Sequence, residues 1–382
     1  MQHSKKPKFL LIGGFASSLI NFRGPLLRAL TLKFDVYATA PFVDQDTRLK
    51  VEALGVTCIS NNFERTGLNP IKDLLAFRQL KQEIRAIKPD YVLAYTIKPV
   101  IFGLMASGKK NVKKYALITG RGSGFDSNTF KAQTIRSIVK RLYKRSLSNV
   151  EGIIFQNSND EIFFIEESII SKNANSTVIE GTGVDLAYYH ASKSKNREDL
   201  DKIKFLFVAR LIKEKGIPEL FEATKQLKKY YDNFEVQLLG WVDPNPGGIS
   251  KEEIEAMDAT GVITYLGTTD DIRPFMDNAD VFVLPTYYNE GLPRTIQEAM
   301  AMSKPIITTD HPGCRETVVE GENGFLVPTK NADVLRDRME YFIKTPQAIR
   351  SMGIASLSMA REKFDVNKIN SRIFEFMQLT NV

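Results

Sequence analysis

The sequence predicts an α/β protein made of two doubly wound domains, and three observations carry that reading. First, 382 residues exceed the roughly 250–300 at which a single hydrophobic core stops growing. Second, short continuous apolar runs alternate with stretches of helical periodicity. A run apolar on both of its faces marks a parallel strand covered by helices on both sides, and alternation with helices builds doubly wound sheets. Third, 43% hydrophobic and 25% charged residues form an ordinary globular balance, which excludes disordered, collagen-like and coiled-coil chains.

The strand-like runs fall in order along the chain. Residues 9–12 open it, preceded by Lys5, Lys6 and Lys8. The stretch FLLIGGFASSLI imitates a secretory leader, but no small-residue cleavage site follows before Phe22-Arg23, so a first strand running into a Gly13-Gly14 turn is the preferred reading. Further runs lie at 34–38, 56–59, 91–95, 115–119 and 152–155, with a helical pattern at 74–87 among them. The alternation resumes with runs at 205–209, 236–239, 262–266, 281–284, 305–308 and 325–327. The polar stretch 190–202 (HASKSKNREDLDK) reads as the linker. The expected domains are therefore 1–189 and 203–363, with a final segment at 364–382 whose Ile369, Ile373, Phe376 and Met377 are spaced as a packed helix face. No 18-residue uninterrupted apolar run is present, so a spanning helix is not expected.

Cysteine and histidine usage narrows the chemistry. Cys58 and Cys314 cannot form a disulfide framework, and they fit small core residues in a reducing compartment. With only His3, His190 and His311 and no His-Glu-x-x-His motif, no metal ligands are assigned and no cofactor is implied.

Charge is uneven. Residues 1–190 hold 27 Lys and Arg against 16 Asp and Glu, while the remainder holds 25 against 29. A basic first half points to an anionic partner: nucleic acid, lipid headgroups or a phosphorylated substrate. The densest stretch, 131–145 (KAQTIRSIVKRLYKR), has Ile135, Ile138, Val139 and Leu142 at helical spacing, an amphipathic basic helix. It fits either a solvated surface or an anionic membrane surface. Nucleic acid is disfavoured because no stacking aromatics are interleaved with the cations.

Open parallel sheets bind ligands beyond the carboxyl ends of their strands, so residues just after the strand-like runs are the candidate contacts. Gly13-Gly14 is not Gly-x-Gly-x-x-Gly, and a dinucleotide fingerprint is absent. It fits a plain tight turn or close backbone approach to a phosphate or sugar, with Gly14 the contact. Lys98, in the stretch 95–99, and Arg121, within Gly120-Arg121-Gly122-Ser123-Gly124, are candidate anion contacts, against surface lysine and flexible-loop readings. In the second half, Arg210 follows a strand and Lys215-Gly216 opens the next helical pattern. Two such cations can clamp a departing nucleoside diphosphate without metal. The most specific motif is Tyr288-Asn289-Glu290-Gly291-Leu292-Pro293-Arg294-Thr295-Ile296-Gln297-Glu298-Ala299. Pro293 suits a first helical position, which leaves Glu290 and Gly291 in a loop at a helix N-terminus that attracts phosphate. Glu290 and Glu298 then suit neutral hydroxyls, Glu290 on a hexose and Glu298 on a ribose. The bland alternative is two solvated helix-face acids.

Taken together these residues resemble glycosyltransferase family 4. Glu290 and Glu298 match its Glu-x(7)-Glu signature. Gly13-Gly14, 96–99, 120–122, Arg210 with Lys215-Gly216, Pro312-Gly313-Cys314-Arg315-Glu316 and Asn323-Gly324-Phe325-Leu326-Val327 extend the likeness over nearly the whole chain. Some members carry a His in the first domain that is implicated in catalysis, and here the stretch 95–99 offers Lys98 instead.

The resemblance implies a GT-B fold, two Rossmann-like domains facing a cleft, with residues 364–382 crossing back to the first. It implies retaining, metal-independent hexosyl transfer, similar to bacterial enzymes that extend undecaprenyl-diphosphate-linked sugars, such as N-acetylgalactosaminyltransferases acting on lipid-linked bacillosamine. Expected partners are a nucleotide-sugar donor, held by Gly14, Arg210, Lys215, Glu290, Gly291, Leu292, Pro293 and Glu298, and a lipid-linked acceptor, held by Lys98 and Arg121. Glu290, Arg210 and Lys215 are the expected catalytic residues. An anionic membrane surface on the cytoplasmic side is the expected location. Two rivals remain, a nucleotide-sugar epimerase of the same fold and a non-catalytic nucleotide-sugar-binding protein.

Overall fold

The computed structural model describes residues 6–63, 70–108, 111–121, 130–191, 202–243, 247–289 and 291–380. Most of the expected linker lies outside them, as does Glu290. The chain forms two compact units. One comprises Met1–Thr182, Asn289–Gly291 and Val366–Val382, the other Gly183–Tyr288 and Leu292–Asp365.

In the first unit, β1 (Lys8–Ile12), α1 (Ser18–Asn21), α2 (Gly24–Thr31), β2 (Asp35–Pro41), α3 (Gln45–Glu52) and β3 (Thr57–Asn61) are followed by α4 (Pro70–Ile87) and β4 (Tyr91–Tyr95). A π-helical turn, Pro99–Gly103, runs into α5 (Leu104–Ala106), then β5 (Lys113–Ile118), α6 (Phe130–Leu147), β6 (Gly152–Phe155), α7 (Ser158–Glu166) and β7 (Ser176–Val178). The sheet order is β3-β2-β1-β4-β5-β6-β7, with every pair parallel. Alternate β1 residues enter different cores, which is why the run reads as continuously apolar. Phe9 and Leu11 join α1, α2 and α3 on one face, while Leu10 and Ile12 join α4, the π turn, α6 and α7 on the other. Full burial of Phe9 through Ile12 decides between strand and leader-like segment in favour of the strand.

The second unit repeats the plan. Its elements are β8 (Ile203–Val208), a 3-10 turn at Lys213–Lys215, α8 (Ile217–Leu227), β9 (Phe234–Leu239), α9 (Lys251–Ala259), β10 (Thr264–Tyr265), α10 (Arg273–Asn278) and β11 (Val281–Leu284). They continue with α11 (Arg294–Ala301), β12 (Ile306–Thr309), a 3-10 turn at Arg315–Thr317, β13 (Gly324–Val327), α12 (Ala332–Lys344) and α13 (Ala348–Lys363). The order is β10-β9-β8-β11-β12-β13, again all parallel. The last helix, α14 (Val366–Phe376), belongs to the first unit. It places Ile369, Ile373, Met377 and Leu379 in that unit's core, and the Tyr115 hydroxyl donates to the Met377 carbonyl at 3.1 Å.

Two expectations need correction, and one strand carries no sequence signal. The run at 262–266 yields only the two-residue strand β10, because Val262 and Leu266 pack against the core from outside the ladder. The short β7, partly buried throughout, carries too little apolar signal to have been read. On α6 the buried side is Tyr143 and Leu147, with Val139 and Leu142 packed against it, while Ile138 lies off that stripe and is 47% exposed. Among the described residues, no helix is long and apolar enough to cross a membrane.

Candidate active site

In each sheet the strand order reverses once, between β1 and β4 in the first unit and between β8 and β11 in the second. Ligands of open parallel sheets bind beyond the strand ends at such switch points. Gly13, Gly14 and Lys98 lie at the first of these, and Arg210, Lys215 and the loop before α11 at the second.

In the first unit the switch is closely packed. A Cβ on Gly13 would collide with the Tyr95 hydroxyl, and one on Gly14 with Thr96 Oγ1, so both positions need glycine for close approach. The Tyr95 ring is buried, its hydroxyl lies 2.7 Å from Ser18 Oγ, and the Arg23 guanidinium sits 4.9 Å from its centroid. Burial pushes the Tyr95 phenol up to about 12, against the lowering pull of Arg23 and Ser18, so it remains protonated at neutral pH.

The two expected cations of this unit are neutralised locally. Lys98 Nζ lies 2.8 Å from Asp73 on α4, with both side chains largely buried. Arg121 Nε lies 3.0 Å from Asp160 on α7, and its guanidinium stacks over Phe163 at 4.8 Å. Neither is a solvated surface cation.

The second switch point is richer in charge. The loop after β8 is tied to the loop after β11 through backbone: Tyr287 N–H donates to the Glu214 carbonyl at 2.8 Å and Thr286 Oγ1 to the same carbonyl at 3.1 Å. Gly216 adopts φ +82° and a Cβ there would strike the Pro285 carbonyl. This is a left-handed, closely approached position that glycine fills at least cost. The consequence is convergence. Arg210 lies 5.2 Å from the Tyr288 ring centroid and Lys215 Nζ 5.4 Å from the same ring. Arg210 is further held by Asp243, 3.0 Å away at the end of the β9 loop. Burial alone would lower the Arg210 pKa, but bonds to Tyr288 and Asp243 outweigh it and hold it above the ordinary value. Lys215 is only 5% exposed.

Beyond β11, α11 begins at Arg294. Pro293 is its N-cap, with φ −58° and ψ 121° and no side-chain cap bond. The expectation of Pro293 at the first helical position is therefore one residue early: its extended ψ keeps it outside the helix although its φ is helix-compatible. The uncapped first turn leaves backbone N–H groups at the positive end of the helix dipole. Gly291, Leu292 and Pro293 are buried ahead of it. Glu298 lies inside the helix, 6% exposed, with Oε1 2.7 Å from Arg294 Nε. Burial raises its pKa above the usual carboxylate value, with Arg294 and Tyr189 pulling it down. Burial likewise raises the Tyr189 phenol, with Glu298 adding to it. The reading of Glu298 as a solvated helix-face acid is thus overturned.

Several participants escaped the sequence reading. Asp243 sits at a strand-end loop but is not a cation, so its sequence position gives no sign of an anion contact. Tyr288 stands at the head of the signature motif, and only the fold shows both cations against its ring. Ser18, Arg23 and Tyr189 carried no sequence signal.

Comparison with known proteins adds the family. A model described as glycosyl transferases group 1 matches residues 190–357, and one described as glycosyl transferase 4-like matches 30–157. The chain is 30% identical over 339 residues, 86% of its length and 87% of the relative's, to the N,N'-diacetylbacillosaminyl-diphospho-undecaprenol alpha-1,3-N-acetylgalactosaminyltransferase of Campylobacter jejuni. It is 28% identical over 158 residues, 41% of each chain, to a capsular polysaccharide biosynthesis glycosyltransferase of Staphylococcus aureus. Among solved structures, a sucrose-phosphate synthase from Thermosynechococcus elongatus superposes with TM-score 0.80 at 18% identity, covering 98% of this chain and 99% of the other. A glycosyltransferase from Rickettsia africae superposes with TM-score 0.75 at 20% identity, covering 99% and 100%.

Proposed function

From the premise that this chain belongs to the GT-B glycosyltransferases, we propose that it transfers a hexose or N-acetylhexosamine, with retention, from a nucleotide sugar to a saccharide on a polyprenyl diphosphate. The donor would be a uridine diphosphate sugar held by the second unit. The acceptor class is that named for the Campylobacter relative, and the product would enter a bacterial surface or protein-linked glycan. Action on a lipid-linked acceptor would bring the protein to an anionic membrane surface, which the exposed Arg141, Lys144 and Arg145 of α6 would meet.

The observation that carries the reading is the convergence of Arg210 and Lys215 on the Tyr288 ring, ahead of the uncapped first turn of α11. Negative charge grows on the leaving diphosphate as the glycosidic bond breaks. Two fixed cations and a helix N-terminus, already oriented, stabilise that charge without waiting for solvent to reorganise, and no metal is needed for this role. Glu298, ionised, would accept from ribose hydroxyls, with Arg294 and Tyr189 fixing its direction. Glu290, from its place in the motif, would contact the reacting sugar. The acceptor hydroxyl would attack the face the diphosphate leaves, and a phosphate oxygen would take its proton. Gly14, Lys98 and Arg121 belong to the sugar- and acceptor-facing side of this proposal. Lys98 and Arg121, each held in place by a buried carboxylate, would orient acceptor oxygens.

The test is incubation with a panel of nucleotide sugars, with and without a polyprenyl-diphosphate-linked acceptor, in the presence of a chelator. Acceptor-dependent transfer with an α-linked product and no loss on chelation is expected. Restoration by Mn²⁺ of activity abolished by chelation would overturn the metal-free mechanism. Sugar interconversion without transfer would establish an epimerase, and donor binding with no turnover a non-catalytic protein.

A further inference from the structure

Helix α4 departs from ordinary amphipathicity in its first turns. Its inward face is conventional: Ala76, Leu80, Ile84 and Ile87 enter the core. From Arg78 onward the outward face is polar. Before that point it is apolar apart from Lys72. Ile71 is 73% exposed, Leu74 48% and Leu75 58%. These three lie at i, i+3 and i+4, one contiguous patch on the solvent side. A helix apolar all round is ordinarily buried or embedded in lipid, and this one is not buried.

The surroundings say what it fits. Exposed Lys72 and Arg78 flank the patch. On the same helix, Asp73 faces inward to Lys98 and Glu83 is half-buried and bonded to Gln79, so no exposed acid interrupts it. Helices α4 and α6 pack into the same core, with the π turn between them, so they share one helix layer over one sheet face. In that layer α6 exposes Ile138 together with Arg141, Lys144 and Arg145, and its Lys140 is paired with Glu167. Apolar side chains rimmed by cations match the boundary between lipid chains and anionic headgroups. An acidic protein surface would satisfy the cations but leave the isoleucine and leucines against water.

We propose that the N-terminal turns of α4 are a membrane-insertion element. Ile71, Leu74 and Leu75 enter the acyl region while the basic face of α6 meets the headgroups. The inference rests on the membrane-surface part of the function proposed above and deepens it. The two helices supply different forces. Insertion by α4 is apolar and resists salt, whereas attraction by α6 is screened by it.

The test uses the full chain and sedimentation with vesicles of phosphatidylcholine, with and without phosphatidylglycerol, at low and high salt. Ile71→Ser/Leu74→Ser/Leu75→Ser should lower partition at high salt by about a hundredfold, with unchanged thermal melting. Ile71→Leu/Leu74→Ile/Leu75→Ile should retain it. Arg141→Glu/Lys144→Glu/Arg145→Glu should lose only the salt-sensitive part on anionic vesicles. Should the serine variant fail to fold, Leu74→Trp decides: a blue-shifted emission on vesicles supports insertion, and an unshifted one overturns it. Equal high-salt binding by wild type and serine variant overturns the proposal, as does wild-type binding confined to low salt, which leaves α6 acting alone. A wild-type dimer made monomeric by the serines assigns the patch to a second copy and also overturns it. Absence of any vesicle binding removes the membrane reading with it. Transfer to a detergent-dispersed acceptor would still stand, so the two failures are distinguishable.

Discussion

The two switch points share one topology and differ in chemistry. At β8/β11 the cations Arg210 and Lys215 are drawn onto one aromatic ring, with an uncapped helix start beyond the next strand end. At β1/β4 the cations of the neighbouring strand ends are each matched by a buried carboxylate, as Arg210 is by Asp243, and the space is filled by Tyr95 against glycine backbone. Part of the basic excess of the first half lies on the outer face of α6, where Arg141, Lys144 and Arg145 are exposed. Equivalent topology fixes where a ligand can sit, while the side chains decide what it can be.

The comparison breaks most readily at Arg210 and Lys215. Removing either should cost on the order of 3 kcal/mol in the transition state, about a hundredfold in kcat, with a smaller change in acceptor KM. Because Arg210→Ala also removes an ion-pair partner of the buried Asp243, a thermal melt must accompany the steady-state kinetics. An Arg210→Ala enzyme with normal kcat would undo the diphosphate clamp.

The first switch point should respond to size rather than charge. Gly13→Ala forces the Tyr95 ring to move and should destabilise the first unit by about 1–3 kcal/mol, read as a lower Tm. A Tyr95→Leu/Gly13→Ala pair that recovers part of that loss would confirm the steric cause, because Leu lacks both the hydroxyl and the ring carbon, 2.8 Å away, that the new Cβ meets.

Glu298→Gln should raise donor KM roughly tenfold, a loss of about 1.4 kcal/mol, with kcat little changed. It also carries a pH signature. Burial raises the Glu298 pKa above 4.5, so the ionised acceptor form is complete only well above that value. Donor affinity of the wild type should fall as pH drops through the raised pKa, and the Gln variant should lack that limb. The same shift means that ionising Glu298 works against folding, so its contribution to stability should decline as pH rises through the folded pKa. Isothermal titration with donor across pH checks the first, and a melt series the second. The smallest effect is expected from Tyr288→Leu, which removes the ring beneath two cations and should weaken donor binding by about 0.5–1 kcal/mol, a few-fold in Kd.

Much of this was legible without coordinates, and the reason is locality. Strand runs such as Tyr91–Tyr95 and Val281–Leu284 are apolar on both faces because both faces are covered, so burial wrote itself into composition. Arg210, Lys215 and Glu298 could be singled out because a strand end, a glycine turn and a helix start lie within a few residues of each. Partnership was not legible. Nothing in the sequence pairs Lys98 with Asp73, Arg121 with Asp160 or Arg210 with Asp243, since each pair spans two elements that only the sheet order makes adjacent. The periodicity of residues 364–382 named an apolar face, while the surface that buries it is a tertiary matter, settled by the cores of β5 and α2 against α14.

By itself the sequence determined the alternation of strands and helices, the glycine-rich strand ends and the Glu290/Glu298 spacing, because each is a property of neighbouring residues. Tertiary structure alone decided which carboxylate each of Lys98, Arg121 and Arg210 meets, that Arg210 and Lys215 share one ring, and which apolar residues of α4 remain in solvent. All three depend on what the folded chain brings within a few ångströms, and electrostatic pairing and burial act over that distance, not along the chain.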